Sequence, residues 1–78
     1  MNIYASSLND HLRIYINDTL HLSLRVRGLV AIQGYAWPLD GRWDLEITYE
    51  TGAVVKARYH NAELWKKILD EIARCELV

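Results

Sequence analysis

The sequence predicts an α+β fold: an antiparallel β-meander of four to five strands with one C-terminal amphipathic helix packed on one face, in a single domain over residues 1–78. Three observations carry this. Apolar and polar residues alternate along several stretches, two Gly-containing segments separate the last of these, and the pattern then switches to helical spacing after Tyr59.

The clearest strand starts at Trp43. Trp43, Leu45, Ile47 and Tyr49 share one face, and Asp44, Glu46, Thr48 and Glu50 share the other. Upstream, Leu20, Leu22, Leu24, Val26, Val30 and Ile32 form an even-numbered apolar set. A four-residue loop at Pro38-Leu39-Asp40-Gly41, with Pro at the first bend and Gly in the left-handed position, sets Trp37 against Arg42. Partners then sum to an odd number, which joins even positions to odd ones. Ala36 meets Trp43, Gly34 meets Leu45, Ile32 meets Ile47 and Val30 meets Tyr49, all on the face expected to be buried.

The next turn passes the same test. A three-residue loop, Glu50-Thr51-Gly52, pairs Ile47 with Val55, Leu45 with Ala57 and Trp43 with Tyr59 inside. Outside, Glu46 faces Lys56 and Asp44 faces Arg58, so these carboxylates have cationic neighbours and make a poor catalytic pair.

Asn61 is placed as a helix N-cap, followed by Leu64, Trp65, Ile68, Leu69 and Ile72 at helical spacing. Glu63, Lys66, Lys67, Asp70, Glu71 and Arg74 take the other side, with Glu63–Lys67 and Asp70–Arg74 spaced for pairing. The mixed charges argue against a basic membrane-surface helix, and Trp65 reads as core.

Earlier in the chain Leu12, Ile14 and Ile16 alternate with Arg13, Tyr15 and Asn17, which predicts a strand. Its connection to the strand from Leu20 admits two turns. A two-residue turn on Asn17-Asp18 sets Tyr15 against Leu20 and mixes the faces, whereas a three-residue loop asks Thr19 for a left-handed conformation that β-branched residues disfavour. The stretch from Leu20 to Trp37 is too long for one ordinary strand, so Gly28 marks a bend, bulge or break. Ile3 to Ala5 adds a short edge strand.

The segment "RWDLEITYETGAVVKARYHNAELWKKILDEI", Arg42 to Ile72, resembles the end of a pleckstrin-homology-like domain, where a last hairpin leads into a helix bearing a tryptophan. The resemblance implies a truncated version of that fold and carries over no ligand-binding residue.

Composition narrows the function classes. At 78 residues, a lone domain buries only about 60% of the surface its unfolded chain exposes, so the core is small or completed by a partner. The balance of 51% hydrophobic and 24% charged residues is globular, and a net charge of −1 disfavours nucleic acid as a partner. The first residues lack the pattern of a secretory signal, and no apolar run is long enough to span a bilayer, so the expected location is cytoplasmic, away from membranes. The one cysteine, Cys75, fits a reducing compartment and falls on the apolar side of the helix as a small hydrophobe.

His11, His21 and His60 have no metal-ligand spacing, and the glycines form no phosphate-cradling loop; neither an enzyme, a metal site nor a cofactor is expected. What remains is the outer sheet face. The predicted registers turn Leu29, Ala31, Tyr35, Trp37 and Val54 outward, with Arg25, Arg27, Gln33, Arg42, Lys56 and Arg58. Trp, Tyr and Arg are the residues that most often anchor interfaces, so Trp37, Tyr35, Leu29, Arg25, Arg27, Arg42 and Arg58 form the candidate partner-binding set.

The favoured reading is a small protein-binding module docking through this face or an edge strand. Its size and lack of chemistry suit an inhibitor or accessory factor, by analogy with small phage-encoded proteins that act on host defence complexes. Two alternatives compete with it. In a homodimer the face would be the dimer interface; in a weak single-stranded nucleic-acid binder, Tyr35 and Trp37 would stack bases, against the repulsion of Asp44 and Glu46.

Overall fold

A computed structural model describes residues 2–75. The fold is α+β: six strands in two three-stranded antiparallel sheets, and a C-terminal helix. The strand from Leu20 to Trp37 is divided, as its length required, by a break around Gly28, whose φ is +80°. The chain forms two compact units, one running up to Arg27 and including the segment from Lys67 onward, the other from Gly28 to Lys66. They are described in turn.

The first unit contains β1 (Ile3–Leu8), β2 (His11–Ile16) and β3 (Thr19–Arg25), in that spatial order. β1 runs three residues beyond the short edge strand expected at Ile3 to Ala5. Both connections are two-residue Asn-Asp turns with every residue left-handed: Asn9 and Asp10 at φ 53° and 64°, Asn17 and Asp18 at 49° and 66°. Two consecutive left-handed residues match the twist of the flanking strands, and Asn and Asp tolerate that conformation because their side chains bond locally. The second turn is tied down further. The Asn17 N–H donates to the Asn2 carbonyl (2.8 Å) and the Asn2 N–H to Asn17 Oδ1 (3.0 Å).

Of the two turns open at this point, the chain adopts the shorter, and Tyr15 does stand opposite Leu20. The faces are sorted again one step later. Ile14 pairs with Leu22, which leaves His21 as an extra residue in a β-bulge and returns Leu22 and Leu24 to the side of Ile14 and Leu12. Leu12, Ile14 and Leu24 are buried on that side, and Ile68 and Ile72 of the helix α1 (Ala62–Arg74) are the buried residues of its later turns. Each such side chain contributes about 1.5–3 kcal/mol when fully removed from water. Arg74 pairs with Glu71 at 3.2 Å, one residue nearer than the expected Asp70.

The second unit contains β4 (Leu29–Trp37), β5 (Arg42–Tyr49) and β6 (Val54–Tyr59), again a meander. Both predicted registers are present, from Trp37–Arg42 to Ala31–Thr48 and from Trp43–Tyr59 to Thr48–Val54. Gly41 takes the left-handed position (φ 60°) after a single 3₁₀ turn at Pro38–Asp40, and its N–H donates to the Pro38 carbonyl at 3.1 Å. Gly52 does the same for the second loop at φ 89°.

The register departs from expectation at the start of β4. Leu29, not Val30, pairs with Tyr49, so Val30 is the extra residue of a bulge and is 54% exposed. Leu29 is half-buried opposite Tyr49 instead of facing outward with Tyr35. Leu45, Ile47 and Tyr59 are buried, but near the hairpin tip Gly34 and Ala36 are exposed and Trp43 is half-buried. Small residues opposite a tryptophan leave that end of the inner face thinly covered.

Asn61 caps the helix as predicted, its Oδ1 accepting from the N–H groups of Glu63 (3.0 Å) and Leu64 (3.2 Å). The Trp65 indole N–H donates to the Asp44 carbonyl at 2.9 Å, tying the first helical turn to β5.

The bulge separates two substitutions. Leu45→Ala is expected to cost about 2–5 kcal/mol in urea denaturation, whereas Val30→Ser should change stability by less than about 0.5 kcal/mol. A large loss at Val30 would return it to the inner face.

Candidate functional site

The outer face of the β4–β5–β6 sheet is ordered by its two registers. One row holds Tyr35, Asp44 and Arg58; the next, toward the loop, holds Trp37 and Arg42; Gln33, Glu46 and Lys56 lie on the other side. Tyr35 and Trp37 are two residues apart on one strand, so their rings lie side by side, 6.0 Å between centroids and 28° between planes. The Arg42 guanidinium sits 4.1 Å over the Trp37 ring, and the Tyr35 hydroxyl donates to Gln33 Oε1 at 2.6 Å.

Asp44 organises the cations. Its carboxylate lies 3.2 Å from Arg58 Nε and 3.9 Å from Arg42 Nε, and it is largely shielded from water while the Arg58 side chain is 56% exposed. The Arg42 Nε is buried without a hydrogen bond. A pair open to water on its cationic side, as Arg58–Asp44 is, contributes about 0–1 kcal/mol, so the main effect of Asp44 is to position the two guanidinium groups. Tyr35 and Trp37 each keep 38% of their surface exposed, and Leu39 in the adjoining loop is fully exposed. The result is a cation–aromatic array whose rotamers are held by mutual contacts.

Four residues of the predicted set, Trp37, Tyr35, Arg42 and Arg58, are therefore brought together. Leu29 is not, because of the bulge at Val30. Arg25 and Arg27 belong to the first unit: Arg25 ends β3, and Arg27 lies 3.8 Å from Asp10 in the first Asn-Asp turn. The expectation of one continuous sheet face failed because the break at Gly28 divides the sheet as well as the strand.

Other groups with chemistry are tied into the backbone. The ring N–H of His11 donates to the Asn9 carbonyl (2.9 Å) and that of His60 to the Gly41 carbonyl (3.2 Å). Among the described residues, no group of three or more His, Cys, Asp or Glu is arranged to hold a metal ion, and no helix is long and apolar enough to cross a membrane. An open cleft of about 280 Å³ lies between Asn2 and Ile3 and the helix residues Lys67, Asp70, Glu71 and Arg74. Its Arg74 and Glu71 are already paired.

The alternation alone does not identify a second face, on β1–β2–β3, where Tyr4 and Tyr15 stack at 4.9 Å and 16°. The signal was the repeated Asn-Asp dipeptide, a two-residue hairpin turn of the left-handed type.

Burial, and next to it the Glu71 carboxylate, push the Cys75 thiol above its ordinary range, and its Sγ lies 3.5 Å from the Glu71 carbonyl. Because the thiolate is the nucleophile, Cys75 is expected to react with iodoacetamide several-fold more slowly at pH 8 than free cysteine, with its rate rising at higher pH. Faster labelling would mean an activated thiol.

Comparisons of this chain with protein-family models, with curated proteins and with solved structures give no match.

Proposed function

We propose that this protein is a non-enzymatic binding module that docks on a larger protein through the outer face of β4–β5–β6. The observation that carries this reading is the array of Tyr35, Trp37, Arg42, Asp44 and Arg58. It joins exposed aromatic area to guanidinium groups, the combination that dominates interface energetics. Its contacts exist before any partner arrives, which lowers the side-chain ordering cost of association, about 0.5–1.5 kcal/mol per immobilised side chain.

Asp44 and Glu46 on the same face repel a polyanion, which favours a protein partner over nucleic acid. A chain of 78 residues with an exposed cation–aromatic array suits an accessory or inhibitory role, in which occupying a surface is the whole activity.

Trp37→Ala and Trp43→Ala test the assignment together. Trp37→Ala removes one cation–π contact and one ring pair and should cost about 1–2 kcal/mol, whereas Trp43→Ala should cost about 3 kcal/mol. In affinity capture from the native host, a protein held by the wild type and by Lys66→Ala is expected to be lost with Trp37→Ala and Arg42→Ala. Retention by the folded Trp37→Ala variant would remove the site. A wild-type dimer in light scattering that Trp37→Ala dissociates would reassign the face to self-association.

A further inference from the structure

We propose that the outer face of β1–β2–β3 is a second, independent docking surface, which binds a short acidic segment of a partner protein with Arg13 as its central anchor. The registers write this face as three rows: Tyr4, Tyr15 and Leu20; Ser6, Arg13 and Ser23; Leu8, His11 and Arg25. Its opposite side carries the buried Leu12, Ile14 and Leu24, so these nine residues are the outward set.

The nine outward residues include two arginines, Arg13 and Arg25, and no Asp or Glu, although the chain as a whole has a net charge of −1. The β4–β5–β6 face instead places Asp44 and Glu46 between its cations. Arg13 makes no ion pair with any described residue, and its strand neighbours are two serines, whose hydroxyls add donors about 5 Å to either side along the hydrogen-bonding direction. A carboxylate at this position gains a bidentate guanidinium contact flanked by hydroxyl donors.

The borders choose the kind of anion. Tyr4 and Tyr15 stack, and desolvation first, then the Asp18 charge, raise the Tyr4 pKa and keep it protonated. Asp10 stands in the turn at the opposite end, so the cationic area is capped by an acidic turn at each end. Three rows span about 13 Å, the length of roughly four extended residues. A longer polyanion would run over both aspartates. Leu8 at 62% and Leu20 at 51% exposure add apolar corners that fit side chains rather than phosphates.

The test is an amide NMR titration of the whole chain with a capped hexapeptide alternating glutamate and leucine. Its glutamine counterpart and an oligothymidylate serve as the other arms. Saturable shifts centred on Ser6, Arg13 and Ser23 are expected with the glutamate peptide and not with the glutamine one. Affinity should fall at least about tenfold in Arg13→Gln and in Ser23→Glu, which supplies the missing carboxylate across the strand, and should persist in Arg58→Gln. Equal binding of the glutamine peptide, undiminished binding by a folded Ser23→Glu, or shifts centred on Arg42 and Arg58 would overturn the proposal. So would tighter binding of the oligothymidylate, which would assign the face to nucleic acid.

Discussion

Side chains on a strand alternate with a period of two, so a slip of one residue exchanges the buried face for the exposed one. Each hairpin in this protein satisfies that constraint by its own means. The loop at Pro38 to Gly41 does it with four residues, the loop at Glu50 to Gly52 with three, the Asn9-Asp10 turn with two, and the Asn17-Asp18 turn with two residues plus an extra one at His21. The bulge at Val30 adjusts the far end of β4 in the same way. Everything functional follows from these counts, because they decide which aromatic and cationic side chains reach solvent.

The two outer faces that result differ in electrostatic character. On β4–β5–β6 the arginines share Asp44, and the aromatic rings lie against each other and against Arg42, so cation and carboxylate stand side by side on that surface. On β1–β2–β3 a tyrosine stack borders Arg13, which makes no ion pair with any described residue. Neither arrangement adds much to stability, since exposed pairs are worth little; both add definition to surfaces that would otherwise be loose.

The second unit was largely legible in the sequence because its turns announce themselves. Pro and two glycines restrict the loops, and the parity of the flanking apolar residues confirms the loop lengths, so the Trp37–Arg42 and Asp44–Arg58 pairs could be placed. The first unit was not, for a physical reason. A bulge adds a residue inside a strand without any turn residue to mark it, and His21 carries no sign that it is the unpaired one. Without the bulge, the Asn17-Asp18 turn mixes the faces, and strand periodicity does not assemble the row of Ser6, Arg13 and Ser23. Val30 was misplaced by the same mechanism. Gly28 was read as a break, but that the break also ends the sheet depends on pairings that strand periodicity does not encode.

The claim on which the account rests is that the bulge at His21 restores the faces of β2 and β3. Cross-strand nuclear Overhauser contacts measure it directly. The account predicts backbone contacts joining Tyr15 to Leu20 and Ile14 to Leu22, with His21 between them opposite neither residue alone. Contacts joining Ile14 to His21 and Arg13 to Leu22 would contradict it, because that register would turn Arg13 toward the apolar side and dissolve the outer face.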